Sequence, residues 1–100
     1  MQIFNTVINT PDGDINHSVD ASFDSDGNLH FTEHDMGDGV SGFWGRDEYE
    51  YFLNIPQKEM AKFVMGSFIV SFNASKNISV ADLRDMCDEL QIKYSTDFWM

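Results

Sequence analysis

Alternation of apolar and polar residues predicts β-strands in the first third of the chain. From Ile15 to Phe23 every second residue is apolar except His17, and the residues between them are all polar. A turn sequence, Asp-Ser-Asp-Gly-Asn at positions 24–28, follows, and residues 29–34 return as the partner strand. The pattern therefore predicts a β-hairpin with one buried face.

Three further segments have the composition of strands. Residues 3–8 are largely apolar and end at a turn signal that contains Gly13. Residues 48–55 are rich in aromatic and branched side chains and end at Pro56. Residues 92–99 combine aromatic and apolar side chains, which favours an edge strand that closes the sheet.

A first helix is expected after Pro56. Proline has no amide hydrogen and therefore suits the first turn of a helix. Over residues 67–72 the apolar run is compatible with either a continuing helix or a buried strand. The expected buried stripe of the helix consists of Met60, Phe63, Val64 and Phe68.

A second helix is expected after a polar connector at residues 73–77. Ser79 can accept a hydrogen bond from a free amide at the start of the helix, and Asp82 lies in its first turn. Apolar residues at spacings of three and four then define one buried face. They are Val80, Leu83, Met86, Cys87 and Leu90.

These elements predict one α+β domain over residues 1–100. Its antiparallel sheet should have four or five strands, with two helices packed on one face. A chain of 100 residues has the usual length of a single domain, and 42% hydrophobic residues suffice for a packed core.

Charge is the strongest global signal. The formal net charge is −11, and residues 1–55 contain eleven acidic residues against Arg46 alone, whereas residues 56–100 contain six acidic and five basic residues. Direct binding to nucleic acid or to an anionic membrane is disfavoured, because both depend on cationic side chains. A basic protein partner is favoured, with solubility alone as the alternative explanation.

The expected location is the cytoplasm. Cys87 is the only cysteine and permits no internal disulfide, and the first ten residues lack the basic start and apolar run of a signal peptide. No apolar segment approaches the roughly 20 residues that span a bilayer.

Motifs for cofactor binding are weak or absent. The calcium-loop pattern fails at Leu29, where such a loop requires glycine. The glycines at 37, 39, 42 and 45 have no lysine where a phosphate-binding loop would place one. Cys87 lies on the apolar helix face, which indicates a core residue rather than a nucleophile. We therefore predict no cofactor.

The three histidines give one alternative function. His30 and His34 should lie on the same side of a strand about 13 Å apart, too far to share one ion without a third element. A site with Asp35 and a cross-strand His17 would support a small metal-assisted hydrolase. Isolated histidines are more often structural, and the protein is expected not to be an enzyme.

Residues 34–51, HDMGDGVSGFWGRDEYEY, form the most unusual segment. Four glycines predict a shaped loop that leads into a strand. Phe43 and Trp44 are flanked by acidic residues, which is typical of an aromatic anchor inside an electrostatic rim; alternatively, both rings fill the core. The predicted partner-binding residues are Asp35, Asp38, Trp44, Asp47, Glu48 and Glu50.

Residues 35–51 resemble the pattern D-L-G-x-x-V-x-x-F-x-G-x-x-x-Y-E-Y of a widespread group of small acidic bacterial proteins, with Met36 in place of leucine. Residues 83–94, with Phe98 and Trp99 after them, are similar to the terminal helix and aromatic strand of that group. The resemblance implies an α+β fold in the bacterial cytosol. It carries over no catalytic residue, because the group has no established activity.

The leading functional hypothesis is a non-catalytic acidic protein. It would bind and neutralise a basic protein, for example one that binds nucleic acid, as toxin-immunity proteins and nuclease inhibitors do. The alternatives are the metal-assisted hydrolase and a structural or homodimeric domain.

Overall fold

Five strands form one antiparallel sheet in the computed structural model. The structure describes residues 1–45, 47–73 and 79–99, without the side chains of 42–44 and 72–73. The spatial order of the strands is their order in the chain. The elements are β1 Gln2–Thr10, β2 Gly13–Phe23, β3 Leu29–Met36, α1 Asp38–Trp44, β4 Glu48–Ile55, a 3₁₀ turn Gln57–Glu59, α2 Met60–Asn73, α3 Val80–Glu89 and β5 Ser95–Trp99.

The register of the sheet assigns each strand side chain to one of two faces. Ser18, His34 and Glu50 are paired across β2, β3 and β4 and therefore point to the same side. All strand side chains on this side are half-buried or exposed, and we call it the open face. Helices α2 and α3 pack on the opposite side, which we call the helix face.

The hydrophobic core lies between the helix face and these two helices. Leu53 and Ile55 of β4 are completely buried, and the ring of Phe31 contacts that of Phe63 with centroids 5.7 Å apart. Burial of this apolar surface is the main force that holds the helices to the sheet. The core consists of Val19, Leu29, Phe31, Leu53, Ile55, Phe63, Val80, Met86, Cys87 and Ile92.

The start of α3 confirms the predicted cap. The Ser79 side chain accepts a hydrogen bond from the Asp82 amide at 3.1 Å, and the Asp82 carboxylate accepts one from the Ser79 amide at 2.9 Å. This reciprocal pair satisfies two backbone donors that the first turn leaves without helical partners.

The prediction of a loop for the glycine-rich segment was wrong, because residues 38–44 form the short helix α1. Val40 is 1% exposed, and Gly39 packs against Gly13 and Ile15 of β2. These tertiary contacts outweigh the low helix propensity of glycine. Gly45 then ends the helix with a φ of 74°, which is the left-handed conformation that glycine adopts readily.

The buried stripe predicted for α2 was only partly correct. Residues 67–72 belong to the helix, but Val64 is 43% exposed and Phe68 is 55% exposed. Gly66 is buried where α2 meets Leu90 and Met86 near the end of α3, so the contact side of α2 is rotated away from Val64 and Phe68.

The predicted fold class is confirmed as an α+β domain with a five-stranded antiparallel sheet. The two longer helices occupy one face, and the short helix α1 was not expected. The polar connector predicted at residues 73–77 falls largely on 74–78, outside the described part of the chain. Among the described residues, no helix has both the length and the apolar character needed to cross a membrane.

Gly39→Ala should destabilise the fold by about 1–3 kcal/mol, the usual cost of overpacking. A Cβ at this position would lie 2.6 Å from both the Gly13 carbonyl oxygen and Ile15 Cγ1, and the backbone oxygen cannot move aside cheaply. Urea denaturation measures the effect. Ser41→Ala, at an exposed position of the same helix, is the control; equal stability of the two variants would contradict the close packing of α1.

Candidate interaction surface

The open face is acidic. No strand of the described chain contains lysine or arginine. With no lysine or arginine on the described strands to compensate them, the carboxylates give this face an excess of negative charge. The acidic residues of the open face are Asp14, Asp20, Glu48, Glu50 and Asp97.

His34 and two glutamates lie near the middle of this face. His34 Nε2 is 2.7 Å from Glu48 Oε1 and 3.8 Å from Glu50 Oε1, and the three side chains are about one quarter to one third exposed. One ligand atom from each lies within 4.8 Å of the others. An imidazole with two carboxylates could hold a divalent cation, but the histidine–carboxylate contacts also satisfy these groups without an ion.

An aromatic edge borders the acidic surface at β5. Trp99 is 51% exposed and lies opposite Glu50 on the neighbouring strand. With Phe52, Asp97 and Phe98 these residues line a shallow hollow of about 380 Å³. A large exposed ring beside carboxylates can bind an apolar group next to a positive charge. From its sequence, Trp99 was predicted only to be part of a strand.

The structure does not gather the six predicted partner-binding residues into one site. Glu48 and Glu50 lie together on the open face, whereas Asp35 points to the helix face. Asp38 and Asp47 are exposed near the end of the sheet, where the Asp47 carbonyl accepts a hydrogen bond from the Gly37 amide at 2.9 Å. The side chain of Trp44, the predicted anchor, lies outside the described residues, as does that of Phe43.

The residues of the metal-site hypothesis are likewise separated. His17 and Asp35 form a hydrogen bond on the helix face, with Nδ1 and Oδ1 2.5 Å apart. His34 and His30 point to the open face, on the other side of the sheet. Because a sheet separates the two pairs, these four side chains cannot surround one ion.

Sequence reasoning missed a polar cluster on the helix face. Burial raises the pKa of Glu33, whose carboxylate accepts a hydrogen bond from the Val80 amide at 3.4 Å at the start of α3. Arg84 donates to the Tyr51 hydroxyl at 3.0 Å. One signal was present in the sequence: Glu33 occupies the side of its strand otherwise taken by Leu29 and Phe31.

His30 joins the hairpin turn to β4. Its Nε2 lies 2.8 Å from Asp24 Oδ2, and its Nδ1 lies 2.5 Å from Asn54 Oδ1. Both ring nitrogens face oxygen acceptors, so the protonated ring can donate to both. The hydrogen bonds to Asn54 and Asp24 accordingly raise the pKa of His30, and the same bond to His30, together with the Asn28 amide, lowers the pKa of Asp24.

A larger hollow of about 560 Å³ lies at this end of the sheet, with Lys58 and Lys93 on its rim. Several polar groups around it are already bonded within the protein. The Tyr94 hydroxyl donates to Asp88 at 2.6 Å, and the Asn28 side chain accepts from the Gln57 amide at 2.9 Å. Neither the Tyr94 hydroxyl nor the Asn28 side chain therefore needs a ligand in this hollow.

Cys87 is completely buried, as predicted for a core residue. Burial raises the pKa of its thiol to about 11. At neutral pH the thiol is therefore protonated and unreactive.

The link between His30 and Asp24 should make stability depend on pH. The pKa of His30 is raised above its ordinary 6.5 in the folded protein. Its contribution to the free energy of unfolding is therefore complete below pH 6.5 and is lost as the pH rises through the raised pKa. The pKa of Asp24 is lowered from its ordinary 3.8, so its contribution to the free energy of unfolding is lost only as the pH falls below that value into strong acid. His30→Gln should consequently destabilise the protein more at about pH 5.5 than at about pH 8.5.

Urea denaturation at the two pH values measures this difference. Repeating the comparison in an Asp24→Asn background supplies the control, because the pH-dependent part of the effect should shrink when the carboxylate is absent. An equal effect of His30→Gln at both pH values would show that the protonated ring contributes nothing.

Comparison of the chain with family models, curated proteins and solved structures found no match. The resemblance to the group of small acidic bacterial proteins therefore stays a prediction, and the function has to be argued from the surface alone.

Proposed function

We propose that this protein is a non-catalytic binding protein whose open face covers a basic surface of another protein. The observation that carries the proposal is the charge of that face: within the described part of the chain, its strand residues provide five carboxylates and no lysine or arginine. Concentrated negative charge opposes compactness through self-repulsion, so a complementary partner provides a reason for its retention.

The surface favours a protein partner. Nucleic acid and anionic membranes carry the same sign of charge as the open face and would be repelled. Lysine and arginine side chains of a partner can pair with Glu48, Glu50 and Asp97, and oppositely charged surfaces accelerate the first encounter. A protein that binds nucleic acid presents such a basic surface, which fits a toxin-neutralising or nuclease-inhibiting role.

Besides Trp44, whose side chain lies outside the described residues, Trp99 is a second candidate for the aromatic anchor. It is half exposed at the margin of the carboxylates, and tryptophan is frequent among residues that dominate binding energy. Glu50 lies directly opposite it on β4. A partner arginine could pair with Glu50 while its flat guanidinium group stacks on the indole ring.

Double charge reversal at Glu48 and Glu50 to lysine should slow association with a basic partner by about 10-fold or more at low ionic strength, because electrostatic steering acts on the encounter rate. Candidate partners are basic proteins recovered on the immobilised protein at low salt and identified by mass spectrometry. Surface plasmon resonance with each purified candidate gives rate constants at low and high salt.

The matched control is reversal of Asp85 and Glu89, two exposed acidic residues of α3 on the other side of the sheet. It changes the net charge by the same amount and should slow association much less. Binding that does not depend on salt, or equal effects of both double variants, would refute the proposed role of the open face.

Trp99→Ala should weaken the same complex by about 2 kcal/mol, the size expected for an interface anchor. The loss should lie mainly in faster dissociation, because the substitution removes contact area and leaves the charge unchanged. Trp99→Phe retains an aromatic ring as the control. Unchanged dissociation of the alanine variant would exclude Trp99 from the interface.

A further inference from the structure

The outer edge of β1 has backbone groups that no other strand of the described chain pairs. β1 is the first strand in the sheet order, and β2 is the only strand of the described chain that pairs with it. Thr10 and Gly13 face each other across a two-residue turn, and such a pair exchanges both backbone hydrogen bonds. The alternation of the ladder therefore directs the N–H and C=O groups of Asn5, Val7 and Asn9 to the free edge.

This edge lacks the usual protection against strand pairing. Natural edge strands carry charged residues or proline, or are very short. β1 spans nine residues without a charge or a proline, and its one irregularity lies near its start, between Gln2 and Phe4. The other edge strand, β5, spans five residues and carries Asp97.

Exposed apolar side chains of α2 lie on the same side of the molecule. Gly66 faces α3, and successive helical residues are rotated by about 100°, so Val64 and Phe68 project from the opposite side of α2. α3 packs over β3 and β4, which places this opposite side of α2 towards β1. An apolar hollow of about 250 Å³ between α2, α3 and β1 is lined by Ile3 and Phe4, among other residues.

We propose that a second copy of this chain pairs with this edge, β1 against β1 in antiparallel orientation. With Val7 on the twofold axis, Asn5 of one copy faces Asn9 of the other, and each outward N–H meets an outward C=O. Because this twofold axis is perpendicular to the sheet, the helix faces of both copies lie on one side of the joined sheet and their open faces lie on the other. Both α2 helices then lie above the new strand pair, where Val64 and Phe68 can cover it.

The charge pattern favours a second copy as the occupant. Two chains of net charge −11 repel each other over most of their surfaces, whereas β1 brings no carboxylate of its own to the contact. An uncharged strand is also complementary to itself under twofold symmetry. The dimer leaves both open faces accessible on the same side, so it is independent of the proposed partner binding and would present two such surfaces together.

The test is the mass in solution of the whole protein and of Val7→Pro. Multi-angle light scattering should give twice 11.4 kDa for the unaltered chain. Proline removes the outward N–H of Val7 but no hydrogen bond to β2, and edge strands tolerate it, so the variant should be a folded monomer. Val7→Thr keeps the N–H group and a branched side chain and should remain a dimer.

Asn5→Pro is a second variant that removes another outward N–H group, in case Val7→Pro does not fold. Circular dichroism checks that both variants are folded. Hydrogen exchange adds a direct readout, since the amides of Asn5, Val7 and Asn9 should be protected in the dimer and exchange faster on dilution. A monomeric unaltered protein at millimolar concentration, or a dimer that survives both proline substitutions, would overturn the proposal. Neither result would bear on binding at the open face.

Discussion

The side-chain alternation of one continuous antiparallel ladder governs the rest of this structure. Because the period is two residues, each register pair fixes which side chains share a face. Leu29, Phe31 and Leu53 point to one side and build the core, whereas Thr32, His34 and Glu50 point to the other. A shift of one residue would exchange these sets and expose the core, so the register that stabilises the fold also composes the acidic surface.

Hydrophobic burial is confined to the helix face and does not extend over all of it. At the end of the sheet near α1, apolar residues give way to the hydrogen-bonded His17 and Asp35 and to the partly buried Glu33. Groups of this kind are stable away from water only when they have partners. Glu33 has such a partner, because its carboxylate accepts a hydrogen bond from the Val80 amide at the positive end of the α3 helix dipole. This hydrogen bond links the start of α3 to β3.

The open face and the β1 edge meet different physical demands. On the open face, hydrated carboxylates need no internal partner, so negative charge can accumulate there without destabilising a core. At the β1 edge, backbone donors and acceptors remain to be satisfied and apolar side chains stay exposed. The first surface suits an oppositely charged partner, and the second suits an extended strand of the same kind.

The sequence by itself determined the strands, the caps and the excess of charge, because alternation, the Ser79 and Asp82 pair and composition are local properties. It could not determine that residues 38–44 form a helix, since the contacts of Gly39 with β2 and the burial of Val40 decide this. Nor could it separate Asp35 from Glu48 and Glu50, or bring Trp99 beside Glu50. Those neighbours come from pairing between distant strands, and only the tertiary structure sets that register.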